Sequence, residues 1–180
     1  MKKVFGGWII LTTVLAGCAS MGGGNVTLDT VYIGNQVSEN QHAMEAEGTE
    51  NGTNIENWRH ALDGGYFQFT LKTGGNENLA LKVHYWAHEQ GERTFNISVE
   101  GQVIAVENVV GKFDKEPVQQ EFYDVLYPIP PELVRGKAAI KVKFQGVDDY
   151  QTAGGVYGLI LVKTADPEPA AEPAAEPAAE

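Results

Sequence analysis

Cysteine and basic residues are both scarce in this sequence. The 180 residues include one cysteine, Cys18, so no disulfide can form within the chain. The 13 lysines and arginines are outnumbered by 24 aspartates and glutamates, which gives a formal net charge of −11. Nucleic acid is therefore excluded as a partner, because binding to its phosphates requires a basic surface. The charge is compatible with a neutral partner such as a polysaccharide.

Catalytic motifs are also missing. The sequence contains no Gly-x-Ser-x-Gly, no phosphate-binding loop and no His-Glu-x-x-His. Its histidines show no zinc-binding motif; they are His42, His60, His84 and His88. We therefore predict a non-enzyme with no catalytic residue, no metal and no cofactor.

The first 17 residues have the pattern of a secretory signal. Lys2 and Lys3 precede the uncharged apolar stretch 4–16, which is shorter than the ~20 residues needed to span a bilayer. The stretch ends in Leu15-Ala16-Gly17-Cys18, which resembles the lipobox of bacterial lipoproteins. We predict a signal peptide over 1–17 and a lipidated Cys18. The alternatives are an ordinary signal peptide with a chance cysteine, or an uncleaved anchor.

Lipidation of Cys18 would place the protein on a membrane. One acyl chain binds a bilayer only marginally, whereas two or more anchor a protein stably. Ala19 follows the cysteine, where an aspartate usually signals retention in the inner membrane of bacteria with two membranes. We therefore predict a lipid-anchored protein of the bacterial cell envelope, in the outer membrane.

Composition divides the remaining chain into three parts. Residues 18–25 are small and Gly-rich, which predicts a flexible tether. Residues 26–164 carry the apolar periodicity and nearly all aromatics, so they form one domain. Residues 165–180 repeat Glu-Pro-Ala-Ala, and the regular prolines and lack of large apolar residues predict a disordered, acidic tail.

Within the domain, apolar and polar residues alternate with a period of two, which is typical of half-buried strands. The alternation is clearest at 67–72, 79–86, 95–99 and 140–144. Further strands are expected at 27–33, 102–107, 119–126 and 156–162. One helical turn is expected at Pro130-Pro131-Glu132-Leu133. Seven or eight such strands predict an all-β fold, a single jelly-roll, galactose-binding-like β-sandwich.

Several motifs of the domain resemble a known family. They include Trp58-Arg59-His60-Ala61, Asp63-Gly64-Gly65-Tyr66-Phe67, Tyr85-Trp86, Gly91-Glu92-Arg93-Thr94-Phe95-Asn96-Ile97 and Ala153-Gly154-Gly155-Val156-Tyr157-Gly158. Together they resemble the non-catalytic β-sandwich domain at the C-terminal end of many glycoside hydrolases of the β-L-arabinofuranosidase family (family 127). The resemblance covers residues 30–162. It implies an accessory module, because the catalytic helical barrel of those enzymes, with its cysteine nucleophile and zinc, has no counterpart here.

Trp58, Arg59 and His60 are the first candidate ligand-binding residues, and we expect them in a loop just before a strand. An aromatic ring packs against the C–H face of a sugar, and a guanidinium hydrogen-bonds its hydroxyls. The alternative is structural: Trp58 caps one end of the sandwich, and Arg59 pairs with a carboxylate such as Asp63 or Asp124.

Trp86 and Tyr150 complete the candidate site. Trp86 falls on the outward phase of its strand, so it could form a stacking platform or fold under the loop 88–91. Tyr150 is an aromatic residue in a polar loop. Glu45-Ala46-Glu47 resembles the opening of calcium-stabilised carbohydrate modules, and Asp148 or Asp149 could complete a structural calcium site.

Two functions are compatible with these features. One is a non-catalytic accessory module of the cell envelope that binds plant or bacterial polysaccharide. The other is an envelope scaffold that docks a glycoside hydrolase or another protein. A large exposed apolar patch would favour the protein partner, whereas an exposed tryptophan beside polar groups would favour sugar.

Overall fold

The computed structural model describes residues 24–110 and 121–165. The predicted signal peptide, Cys18 and residues 166–180 of the predicted tail lie outside the described residues. No helix within the described ranges is long and apolar enough to cross a membrane.

The described residues form nine strands and two short helices. The strands are β1 (Val26–Val31), β2 (Glu45–Thr53), β3 (Asn57–Lys72), β4 (Leu79–Trp86), β5 (Thr94–Val99), β6 (Gln102–Asn108), β7 (Phe122–Ile129), β8 (Ala139–Gly146) and β9 (Ala153–Lys163). The helices are α1 (Gln36–Gln41) and α2 (Pro131–Val134). The all-β prediction is therefore confirmed, and α2 coincides with the helical turn expected after Pro130.

The strands pair antiparallel in the order β6-β5-β8-β3-β9-β4-β7, with β1 added to β9 and β2 added to β3. The 16-residue strand β3 links the two halves of this order. Its residues 66–72 pair with β8, whereas residues 59–61 pair with β9. Because β3 belongs to both halves, the sheet folds over itself into the predicted single sandwich, and the core lies between the halves.

The period-two pattern correctly identifies the core side of the strands. On β4, Leu79, Leu81, Val83 and Tyr85 are all buried. Phe67 and Phe144 stack across the β3–β8 pair, with ring centroids 5.0 Å apart. Each fully buried side chain of this size contributes about 1.5–3 kcal/mol relative to an exposed one.

Two parts of the fold differ from the sequence prediction. Strand β2 was not expected, because Glu45–Thr53 is mostly exposed and has no apolar alternation. It forms through backbone pairing with β3, and its composition is suited to an exposed edge. Helix α1 was also not expected; it begins after Asn35, whose side-chain oxygen accepts a hydrogen bond from the Ser38 N–H at 3.0 Å.

Candidate functional site

Strand β3 determines which way the Trp58–His60 motif points. The expectation of a loop is wrong, because β3 begins at Asn57 and includes all three residues. Alternate residues of a strand face opposite sides. Ala61 is fully buried in the core, so Arg59 points inward with it, while Trp58 and His60 share the outer face.

Arg59 is therefore not exposed to a ligand. It is 6% exposed, and its Nε and Nη2 donate to Glu39 Oε1 and Oε2 at 2.9 and 2.8 Å. Arg59 does pair with a carboxylate, as the structural alternative proposes, but that carboxylate belongs to Glu39 rather than to Asp63 or Asp124. Arg59 is therefore a structural residue and not part of the proposed site.

Trp58 and Trp86 come together on the outer face. They line a cavity of about 200 Å³ together with Asn54, His60, Glu89, Arg93 and Tyr157. The Trp58 ring lies 4.8 Å from the His60 ring, and the Trp86 ring lies 5.4 Å from the His88 ring. Trp86 is half-buried at the end of β4, and its role as a stacking platform stays a prediction.

The position of the Trp58 ring depends on a glycine in the neighbouring strand. Gly52 pairs with Trp58 in the β2–β3 register. A Cβ atom at position 52 would lie 2.7 Å from Cζ2 of the indole, closer than van der Waals contact allows. Gly52 therefore leaves room for the ring to lie flat across strand β2.

Arg93 is the centre of the polar contacts at this cavity. Its Nε lies 3.0 Å from Glu89 Oε2 and donates to the Gln90 carbonyl at 2.8 Å. Its Nη1 donates to the Gly154 carbonyl at 3.3 Å and lies 3.4 Å from His60 Nδ1. These contacts fix the guanidinium before any ligand arrives, which lowers the entropic cost of binding.

Burial changes the ionisation of two groups beside Arg93. Desolvation raises the pKa of Glu89, and the positive charge of Arg93 opposes that rise in part. Desolvation and the charge of Arg93 lower the pKa of His60 below 6.5, against the opposing effect of Glu50. His60 is therefore mainly neutral at pH 7, and a neutral imidazole has one donor and one acceptor nitrogen.

The indole Nε1 of Trp86 is buried and has no hydrogen-bond partner among the described residues. A buried donor that is left unpaired costs about 1–3 kcal/mol. An acceptor atom brought to this nitrogen by a ligand would recover part of that cost.

Tyr157 joins the lining of this cavity to that of its neighbours on the outer face. His84 pairs with Gly158 and Tyr85 with Val156, so Tyr157 lies in a bulge of β9. Its side chain lines two further cavities, of about 330 and 280 Å³. We call these three cavities, which share Tyr157 as a lining residue, the outer-face groove; it is formed by Tyr32, Glu56, Trp58, His84, Trp86 and Tyr157 together with their neighbours.

Tyr150 lies apart from the two tryptophans. It is 83% exposed in the loop between β8 and β9, and its N–H donates to Asp148 Oδ1 at 2.9 Å. It lines none of the cavities of the outer-face groove. Of the candidate ligand-binding residues, Trp58, His60 and Trp86 therefore lie together, whereas Arg59 and Tyr150 do not lie with them.

Two carboxylates of the expected calcium site, those of Glu45 and Asp148, have other partners. Glu45 Oε1 accepts a hydrogen bond from Lys141 Nζ at 3.0 Å, and Asp148 Oδ1 accepts from the Gln151 N–H at 3.1 Å. Over 24–110 and 121–165, no group of three or more His, Cys, Asp or Glu residues is placed to hold a metal ion. Structural calcium stays an untested prediction.

A cavity larger than those of the outer-face groove lies elsewhere, beside the bend of β3. It has a volume of about 690 Å³ and is lined mainly by polar and glycine residues, among them Glu47, Glu50, Asp63, Lys143 and Gln145. No tryptophan lines it, so it lacks the aromatic platforms that the outer-face groove has.

Several residues of the groove carry no local sequence pattern that identifies them. Glu89 and Arg93 belong to the loop after β4, and Tyr157 is turned outward by a bulge that no local pattern predicts. Arg93 and Tyr157 do lie within two of the motifs on which the family resemblance rests. That was the one available signal for them.

Comparison with solved structures places the fold among known β-domains. The plant receptor-like kinase ANX2 matches with a TM-score of 0.55 and 13% identity, over 76% of this chain and 48% of that chain. An exo-β-1,3-galactanase from Phanerochaete chrysosporium matches with a TM-score of 0.50 and 10% identity, over 76% and 29%. A family 35 carbohydrate-binding module from Clostridium thermocellum matches with a TM-score of 0.43 and 13% identity, over 68% and 92%.

These identities show the fold alone. The chain spans about half of the matched receptor-like kinase chain and under a third of the galactanase chain. No curated protein matches the chain.

A family model does match, over residues 24–162. This range includes all nine described strands except the last residue of β9. The chain belongs to the family of unknown function DUF6805.

Proposed function

We propose that this domain is a non-catalytic, carbohydrate-binding accessory module that holds polysaccharide on its outer face. The observation that carries the proposal is the meeting of Trp58 and Trp86 at one cavity, beside the fixed polar side chains of Glu89 and Arg93. The resemblance to the C-terminal domain of family-127 glycoside hydrolases supports the same class of module.

The chemistry of the cavity suits a sugar. An indole offers a large flat apolar surface, and the half-buried Arg93 guanidinium and the buried Glu89 carboxylate offer donors and acceptors in fixed positions. The volume of about 200 Å³ is below the roughly 300–1,000 Å³ of sites that enclose a whole small molecule. The cavity is therefore suited to part of a longer chain rather than to a free small molecule.

The predicted lipid anchor gives this binding a location. We propose that Cys18 is lipidated and holds the domain on the bacterial cell envelope, in the outer membrane, where polysaccharide is accessible. The short segment between Cys18 and β1 would keep the module close to the bilayer.

The scaffold function has one observation in its favour. Strands β6 and β7 end the strand order, and exposed apolar side chains lie on both. Val103 and Val106 on β6 are 48% and 61% exposed, and Leu126 on β7 is 42% exposed. A protein partner that adds a strand to either edge would cover them.

The proposal is tested by binding of a glycan panel to the protein carrying Cys18→Ser. The panel contains arabinan, arabinogalactan, β-1,3-galactan and bacterial envelope polysaccharide. We expect at least one neutral glycan to bind, and we expect Trp86→Ala and Trp58→Ala each to weaken that binding by about tenfold or more, equivalent to about 1.4 kcal/mol. Trp86→Phe keeps an aromatic ring and should retain part of the affinity.

Tyr150→Ala is the matched control, because Tyr150 is an exposed aromatic residue outside the groove. It should bind as the unsubstituted protein does. Circular dichroism of each variant excludes loss of fold as the cause. If no glycan binds, or if both tryptophan variants bind normally, the carbohydrate proposal is wrong and the scaffold function is favoured.

A further inference from the structure

The outer-face groove extends well beyond the two tryptophans. Tyr157 lines all three of its cavities, and Tyr32 and Glu56 line the two that lie away from Trp86. Along β4 the groove runs from Lys82 to Trp86, a distance of about 13 Å at ~3.3 Å per residue. That length exceeds a single sugar ring.

Aromatic side chains lie at both ends of the groove. Trp58 and Trp86 line one end, and Tyr32, which is 68% exposed, lines the other. The backbone of Tyr32 is held in place: its N–H donates to Ser38 Oγ at 2.9 Å, and its carbonyl accepts from the Asn35 N–H at 3.2 Å. Tyr32 is therefore an exposed aromatic ring on a fixed backbone, as a stacking platform requires.

Tyr157 forms the floor between the two ends and is itself supported. The Phe122 ring meets the Tyr157 ring edge to face, with centroids 5.1 Å apart, and stacks on the His84 ring at 5.0 Å. Packed rings of this kind hold a surface in one shape without a ligand.

The charges in the groove are balanced. Lys82 Nζ lies 2.8 Å from Asp124 Oδ2, and His84 Nδ1 lies 2.7 Å from Asp124 Oδ1. Arg93 is paired with Glu89 at 3.0 Å. Lys82 and Arg93, the lysine and arginine among the described residues that line these cavities, are thus both paired with carboxylates. The whole chain carries a net charge of −11, which repels polyanions.

We infer that the outer-face groove binds an extended, neutral polysaccharide over several consecutive sugar units, with Tyr32 as a second stacking platform at the end away from Trp86. The inference rests on the proposed function and adds the length and charge of the ligand. The paired cations and the acidic charge of the chain disfavour uronic-acid polymers, and a single sugar would leave the Tyr32 end empty.

The test is a length series of β-1,3-galactan and arabinan oligosaccharides, measured by calorimetry on the full chain carrying Cys18→Ser. Oligogalacturonates of equal length are the acidic probes. Affinity for at least one neutral series should rise at least tenfold from the disaccharide to the longest member. Tyr32→Ala should lower affinity for the long members at least fivefold and leave the disaccharide unchanged, whereas Trp86→Ala should weaken both.

Two control variants sharpen the test. Tyr32→Phe keeps the ring and should bind long oligosaccharides within about twofold of the unsubstituted protein, and Tyr150→Ala removes an exposed tyrosine outside the groove and should change nothing. If Trp86→Ala lowers the affinity for long oligosaccharides but Tyr32→Ala does not, or if affinity does not depend on oligosaccharide length, the extended groove is overturned and the proposed function is left intact. Tighter binding of oligogalacturonate would overturn the neutral class. Absence of binding in every series would overturn both.

Discussion

Glu39 and Arg59 form an ion pair with two hydrogen bonds inside the sandwich, with side chains only 5% and 7% exposed. Glu39 Oε1 also accepts the Gly34 N–H at 2.9 Å. The pair therefore joins helix α1 to strand β3 at the point where β3 presents Trp58 on its other face. Its contribution is structural, and it fixes the strand that carries half of the proposed site.

Glu39→Ala should be strongly destabilising. The substitution leaves the Arg59 guanidinium buried without its counter-ion, and such a loss typically costs about 3–5 kcal/mol. Urea unfolding at pH 7 measures the change in the free energy of unfolding. Glu77→Ala is the control, since its partner Arg135 is 67% exposed and such surface pairs are worth about 0–1 kcal/mol. Equal effects of the two substitutions would show that the buried pair is not structural.

Gly52→Ala should move the Trp58 ring without removing it. The added Cβ would lie 2.7 Å from the indole, and the ring edge can swing away at a cost of about 1 kcal/mol or less in stability. We expect Trp58 fluorescence to shift and glycan affinity to fall severalfold, in the direction of Trp58→Ala. Gly24→Ala, which meets open space, should change neither. Normal glycan binding by Gly52→Ala would argue against Trp58 as a platform.

Strand β4 shows what the sequence could predict. Its alternation correctly places Tyr85 in the core and Trp86 on the opposite face. The alternation is regular because β4 pairs along its whole length with β7 and along most of it with β9. The start of the strand that carries Trp58 could not be predicted in this way. The segment before β3 is polar, pairs as the exposed strand β2 and shows no alternation. Once the strand is known to start at Asn57, the same rule places Arg59 inside.

Contacts between distant residues could not be predicted. Glu39 and Arg59 come from different elements, and local periodicity gives no information on which carboxylate meets which guanidinium. The same holds for Arg93, which reaches Gly154 through the folding of the loop after β4 over β9. The fold class follows from local pattern, whereas the partners of each polar side chain follow from topology.

Asp29→Asn should destabilise the protein in a pH-dependent way. Desolvation alone would raise the Asp29 pKa, but the Lys72 N–H at 2.7 Å and the His42 ring at 3.1 Å outweigh it, so the pKa lies below 3.8. A lowered pKa means that the stabilisation is complete above the unfolded value and is lost as the pH falls through the folded value.

We therefore expect Asp29→Asn to cost about 1–2 kcal/mol at pH 5–7, less than the full range of about 1.5–3 kcal/mol for hydrogen bonds to charged groups, because Asp29 is partly exposed. The difference from the unsubstituted protein should shrink below about pH 4. Urea unfolding at a series of pH values measures it, with the exposed Asp149→Asn as control. A difference that grows on acidification would contradict the assignment.

Cys18→Ala should release the protein from the membrane. The Leu15-Ala16-Gly17-Cys18 pattern predicts that the thiol is acylated, and a chain without acyl groups lacks the apolar surface that holds a lipoprotein in a bilayer. In cell fractionation, the unsubstituted protein should enter the membrane pellet and take up labelled fatty acid. Cys18→Ala should lose the label, and Ser20→Ala, two residues along, should behave as the unsubstituted protein does. Retention of Cys18→Ala in the pellet with unchanged gel mobility would show that the prediction of a lipid anchor is wrong. Another feature of the protein would then have to hold it at the membrane.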